Sequence, residues 1–145
     1  MSHNNMKIFL AYVLIAFLVF PGCTKDSGVK VIKLAHGLVP SHPVHLAMQY
    51  MADKLKEKSN GAMEIQIYPS QQLGTERECV ELLQIGSLGM TKISASVMEN
   101  FSPLYTVFSL PYVFENLEHH FSVLDSEIGN RILLSSEKYL VRGLC

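Results

Sequence analysis

The sequence predicts an α/β fold in which helices flank a parallel sheet, and three observations predict it. Residues 63 to 94, MEIQIYPSQQLGTERECVELLQIGSLGMTKIS, read as strand, turn, helix and strand in one run. A further strand and helix precede that run, and Gly- and Pro-marked turns separate the segments. Strands that alternate with helices in this way form a parallel sheet with right-handed crossovers and helices on both faces.

The elements follow in order. Val31 to His36 is mostly apolar, as expected of a strand covered on both faces, and Gly37 and Pro40 break it. Ser41 is placed to cap a helix with Pro43 in its first turn. Val44, Ala47, Met48, Met51, Ala52 and Leu55 then recur at spacings of three and four and turn one face to the core. Lys54, Lys56 and Lys58 belong to the solvated remainder, and Asn60-Gly61 ends the helix. Met63, Ile65 and Ile67 alternate with Glu64, Gln66 and Tyr68, the period of a strand with one buried face. Pro69 stops it, having no N–H to donate.

Thr75 and Glu78 make a capping box, so a helix begins at Glu76, and Gly86 closes it because a residue without Cβ tolerates a left-handed terminus. Within that helix Cys79 behaves as a small hydrophobe beside Val80, Leu82 and Leu83. Glu76, Glu78 and Glu81 read as a solvated face rather than an acid/base pair. Met90 to Ser94 is the third strand. Beyond it, Ser96 to Phe101 predicts a short helix that Pro103 breaks, and Val107 to Leu110 is a brief apolar run. Tyr112 either supports a pocket or packs, and packing is the expectation. Asn116 caps a helix carrying Leu117, His120, Phe121 and Leu124, and Ser126 caps another carrying Ile128, Ile132, Leu133 and Tyr139.

The 145 residues suit one domain, with 48% hydrophobic and 17% charged side chains. Twelve basic against thirteen acidic residues leave a net charge of -1, which excludes a nucleic-acid footprint built on a large positive field. Lys7 followed by the apolar run Ile8 to Phe20 is an export signal, too short to span a bilayer. Met6 is an alternative start to Met1. Phe20-Pro21-Gly22-Cys23 offers a lipoprotein cleavage site at which Cys23 becomes the lipidated first residue; the alternative is an ordinary cleaved signal with Cys23 incidental. The chain thus divides into a lipoprotein-type signal peptide at 1–22, a tether at 23–30 and a folded part at 31–145. Export permits disulfides, yet no spacing requires Cys79 to meet Cys145.

In open α/β sheets, ligands bind beyond the carboxyl ends of the strands. Three such ends are expected here, at His36-Gly37, Tyr68-Pro69 and Ser94-Ala95-Ser96. A helix opening at Ser41 adds partial positive charge near His36, which suits an anion. His36 either donates a hydrogen bond to a ligand or is a satisfied half-buried histidine. Ser94 and Ser96 are hydroxyl donors for a polyhydroxy acid, or plain turn caps. His42 and His45, with His36, raise a metal-receptor alternative, although zinc wants three or four converging ligands; otherwise His42, His45, His119 and His120 are expected to face solvent. No cofactor is implied. Gly86-Ser87-Leu88-Gly89 has the wrong spacing for a nucleophile elbow, and the Ser-x-x-Lys of Ser135 to Lys138 lacks its companion motifs, so no enzyme is predicted.

YPSQQLG, then IGSLGMTKIS after the helix, then FSLPYVF, occur in an order that resembles the solute-binding receptors of TRAP transporters, the DctP-type family. The likeness runs from about Val31 to Cys145. It implies the first, incomplete lobe of a two-lobed periplasmic-binding-protein-like fold, in a family whose members run to roughly twice this length. By position it implies His36 or Gly37 and Ser94 as ligand-binding residues. It also implies a small carboxylate as ligand, a membrane permease as partner, a periplasmic location and no catalysis. HGLVPSHPVH and MTKISAS are similar to members that take sugar acids, with C4-dicarboxylates also open. In relatives the arginine that clamps the carboxylate follows the segment matching Arg142 to Cys145, so a truncated member, or a non-binding remnant lipoprotein, is a further expectation.

Overall fold

A computed structural model describes residues 28–144. The signal peptide, Cys23, most of the tether and Cys145 lie outside the described residues. Three parallel strands, β1 (Lys30–His36), β2 (Met63–Tyr68) and β3 (Met90–Lys92), form a sheet in the order β2-β1-β3. Helices α1 (Pro43–Lys58) and α2 (Glu76–Gln84) make the crossovers. The chain moves to one side of β1 and then to the other, so two right-handed crossovers put α1 and α2 on opposite faces.

Side-chain alternation along β1 sorts the core accordingly. Leu34 packs with Met48 of α1 and Ile65 of β2, while Ala35 packs on the other face with Cys79 of α2 and Leu88. Cys79 is buried as a small apolar group, and burial pushes its thiol pKa up. A third cluster joins Val80 of α2 to Met98, Tyr105 and Ile132. It belongs to the later elements: α3 (Ala95–Met98), a 3-10 stretch at Pro103–Ser109, α4 (Leu117–Leu124), α5 (Glu127–Leu134) and a 3-10 turn at Glu137–Tyr139. Gln84 Nε2 donates to Tyr139 O at 3.0 Å and ties this second part to α2.

Capping follows the sequence at α2, where Thr75 and Glu78 close both halves of the box, and at Gly86, with φ +73°. It departs at α1. Pro43 holds its predecessor in extended geometry, so the cap is His42 rather than Ser41, and His42 Nδ1 accepts from Val44 N at 3.1 Å. The buried stripe of α1 is also narrower than expected. Val44, Ala47 and Met51 are exposed, and the buried residues are His45 and Met48, with Ala52 and Leu55 beside them.

Several boundaries shift. Lys30, assigned to the tether, pairs with Met63, and its N–H donates to Ala62 O at 2.8 Å. Strand β3 ends at Lys92, because Ser94 leaves the ladder to cap α3; that helix spans Ala95–Met98 rather than Ser96 to Phe101. Helix α5 stops at Leu134, and Tyr139 lies in the following 3-10 turn. Tyr112 does not pack: it is fully exposed at φ 61° in a turn. His45 is buried, and His119 and His120 are half-buried, rather than solvent-facing, the latter two with edge-on contacts to Phe114.

Leu34→Ala should lower unfolding stability by about 2–5 kcal/mol, since it opens a cavity between both neighbouring elements at the centre of the sheet. Urea unfolding monitored by circular dichroism measures it.

Candidate functional site

The parallel ladders bring the carboxyl ends of all three strands to one edge. Ala35 is level with Tyr68 on one side, and His36 is level with Lys92 on the other. Ser94 therefore lies two residues beyond the register partner of His36. After β1 the chain leads into α1 on one face. After β3 it leads into α3, which packs with Val80 of α2 on the other. Chains that part to opposite faces leave a crevice between neighbouring strand ends, the switch point of an open α/β sheet.

The turn after β2 closes over this edge. Gln71 N donates to His36 O at 3.1 Å and Ser70 N to Leu38 O at 3.0 Å. Ser70 and Gln71 hold left-handed conformations, at φ 53° and 60°, to make those contacts. The Gln71 side chain lies beside Gly37, but an added Cβ there would meet Gln71 Cγ at an ordinary 3.5 Å.

His36 is buried and both its ring nitrogens are engaged. Leu38 N donates to Nδ1 at 3.1 Å, and Nε2 is 3.0 Å from Nδ1 of His45, itself buried. Burial first, then the fields of His45, Lys92 and His42, push the His36 pKa below the usual imidazole value. The ring is thus a neutral, internally satisfied histidine, and from β1 it is the backbone around Gly37 that reaches the edge.

Ser94 and Ser96 are brought together, joined by a 3.2 Å bond from Ser96 Oγ to Ser94 Oγ. Both take part in a network that centres on Glu76, the first residue of α2. Glu76 Oε2 accepts from Ser94 N at 3.0 Å and from Ser94 Oγ at 2.6 Å, and its other oxygen lies 3.9 Å from Lys92 Nζ. Glu76 is therefore not part of a merely solvated face. Its carboxylate accepts the Ser94 hydroxyl hydrogen bond, so the edge presents a carboxylate acceptor and an ammonium donor side by side. That pairing suits a ligand with hydroxyls to donate to Glu76 and an anionic group for Lys92.

Glu76, Lys92 and His45 were not singled out by sequence reasoning for these roles. The signals were there: the first residue of a helix that follows a parallel strand lies at the carboxyl edge, and His45 precedes Met48 by three on the apolar stripe. Other candidates fall elsewhere. His42 spends its Nδ1 on the helix cap, and no group of three or more His, Cys, Asp or Glu converges among the described residues. Ser135 Oγ donates to Ile132 O, and Lys138 Nζ lies over the Tyr139 ring, so this Ser-x-x-Lys holds no nucleophile-base contact. A separate groove of ≈ 360 Å³ runs between α1 and β2, where His45, Asp53, Lys56 and Glu64 are among its lining.

The profile of bacterial extracellular solute-binding protein family 7, DctP, matches residues 34–145. The chain belongs to that family. It is 42% identical over 99 residues to the protein YiiZ of Salmonella typhimurium, across 68% of this chain and 30% of that protein. It is 31% identical to the C4-dicarboxylate-binding periplasmic protein DctP of Rhodobacter capsulatus, across 79% of this chain and 34% of that protein. Among solved structures it superposes, with a TM-score of 0.71 and 30% identity, on a TRAP periplasmic solute-binding protein from Xanthobacter autotrophicus with bound β-D-galacturonate. That match covers 74% of this chain and 36% of that one, so the chain spans about a third of the length of the relatives it matches. The partial sheet and its helices correspond to an incomplete lobe of that fold, in a family of transport solute-binding proteins.

Replacing Glu76 with Ala should free the turn after β3. Amide exchange at Ser94 is expected to rise by roughly ten- to a hundredfold, as a bond to a charged acceptor is lost, and hydrogen-deuterium exchange resolved by residue reads it.

Proposed function

We propose that this chain forms the ligand-facing part of the first lobe of an extracytoplasmic TRAP receptor, which binds a small organic carboxylate and delivers it to a membrane permease. The observation that carries this reading is the parting of the chain to opposite faces after the level ends of β1 and β3, in a chain of a solute-binding family. Gly37, Ser94 and Ser96 line the crevice, Glu76 and Lys92 supply its polar pair, and His36 lies buried beneath the end of β1, facing His45. A sugar acid fits the pairing best, because its hydroxyls satisfy Glu76 while its carboxylate faces Lys92; a C4-dicarboxylate is the second ligand class. The galacturonate-bound relative and the C4-dicarboxylate-binding relative support these two classes.

A second lobe completes the site in this reading, and closure over the ligand lets the permease tell a loaded receptor from an empty one. The signal peptide at 1–22 exports the chain to the periplasm, and a lipid on Cys23 anchors it there. No catalytic step is part of the function.

Calorimetric titration with D-galacturonate, D-glucuronate, succinate and zinc tests the reading. The chain by itself should give no measurable heat. Joined to the second lobe of the galacturonate-binding relative, it should bind at least one of the carboxylates and not zinc. Zinc binding without carboxylate binding would refute the receptor assignment. For the anchor, Cys23→Ser should move the expressed protein from the membrane fraction to the soluble periplasmic fraction; unchanged partition would rule out lipidation at Cys23.

A further inference from the structure

The pairing of His36 with His45 carries a consequence for the crevice. Leu38 N–H points at His36 Nδ1, so that nitrogen must hold its lone pair. A neutral imidazole then carries its proton on Nε2, which faces His45 Nδ1 at 3.0 Å. His45 Nδ1 must accept, which puts the His45 proton on Nε2. One directed relay results, from His36 to His45, with Leu38 N–H donating into its near end. No alternative assignment satisfies both contacts.

We propose that His45 is a positioning residue for the ligand crevice: by accepting the His36 Nε2–H it locks one neutral tautomer of His36, and through it the backbone of Gly37 and Leu38 at the end of β1. This role rests on the assignment of that crevice as the ligand site. Nothing else on β1 performs it, since the turn from β2 holds only the carbonyls of His36 and Leu38 and leaves the Leu38 N–H to the ring.

The relay is intolerant of protons. A proton on His36 Nδ1 would oppose the Leu38 N–H, and one on His45 Nδ1 would oppose the His36 Nε2–H. Around His36, His42 at the α1 cap and Lys92 on β3 are both adverse to added positive charge, and Lys92 is itself drawn to Glu76 of α2. Strand β2 brings Tyr68, packed on the opposite face with Ala35. On its groove side, His45 shares the wall with Asp53, Lys56 and Glu64, of which Lys56 and Glu64 pair with each other at 3.2 Å. The lowered His36 pKa means that the unfolded chain binds the proton more readily. The stabilisation is therefore fully present above the ordinary imidazole value of 6.5 and fades as pH falls below it.

Side-chain 15N NMR on the chain without ligand tests the relay. The expected result at neutral pH is a His36 ring protonated on Nε2 only, with a through-bond coupling from that nitrogen to His45 Nδ1, lost on acidification once the ring takes up a second proton. His45→Leu removes the acceptor. It should mix the His36 tautomers and raise Leu38 amide exchange by about tenfold. His45→Asn returns an acceptor oxygen near the same place and should restore both readouts, which a purely space-filling role for His45 would not predict. A His36 ring protonated on Nδ1 in the unaltered chain, or Leu38 protection and tautomer indifferent to His45→Leu, would overturn the relay.

The link to ligand is read separately, on the chain joined to a second lobe. His45→Leu should weaken carboxylate affinity by about tenfold and His45→Asn should leave it near that of the unaltered protein. Carboxylate binding indifferent to His45→Leu would overturn the positioning role while leaving the receptor assignment intact. No carboxylate binding by the unaltered two-lobed protein would remove the assignment and this role with it, whatever the ring nitrogens show.

Discussion

Strand β1 is the constraint on which the rest depends. It is the only strand with a parallel neighbour on each side among the described residues, so its backbone donors and acceptors are held in two ladders at once. Its side chains divide the core into two layers, Leu34 toward α1 and Ala35 toward α2. A sheet built outward from such a strand has no freedom of register: a one-residue slip would turn Leu34 and His36 to the wrong helix. The position of the crevice follows from the same arrangement, because β2 and β3 end level with β1.

Electrostatics then determines how the polar groups at this edge are paired. Glu76 accepts from the Ser94 amide and hydroxyl and draws Lys92 close. An internal carboxylate of this kind satisfies donors that would otherwise stand exposed. On the other side of the crevice, a neutral imidazole rather than a charged one supports the chain, since burial and three positive or titratable neighbours all oppose its protonation. The two sides thus use opposite devices, a paired ion on the β3 side and a neutral relay on the β1 side.

Much of the fold was legible in the chain. The period of two in Met63 to Tyr68, the capping box at Thr75 and the glycine at 86 each act within a few residues, and each is found where the pattern put it. The failures have separate causes. Ser41 lost the cap to His42 because Pro43 restricts the residue before it, and Ser94 left the strand because Glu76, eighteen positions earlier, holds its amide and hydroxyl. Tyr112, expected to pack, stands fully exposed because its turn aims it outward. For the site, the edge of the sheet and the nearness of Ser94 to Ser96 were readable; the pairings that engage His36 and Ser94 were not, because they join residues on different elements.

By itself the sequence determined the alternation of strands and helices, the place of the turns and the family to which the chain belongs, since these reside in local periodicity, caps and short motifs. Only the tertiary structure decided that His36 faces His45 rather than the crevice, and that Glu76 reaches Ser94 and Lys92. Those contacts depend on strand order and on which face each helix covers, quantities set by packing across the sheet and invisible to spacing along the chain.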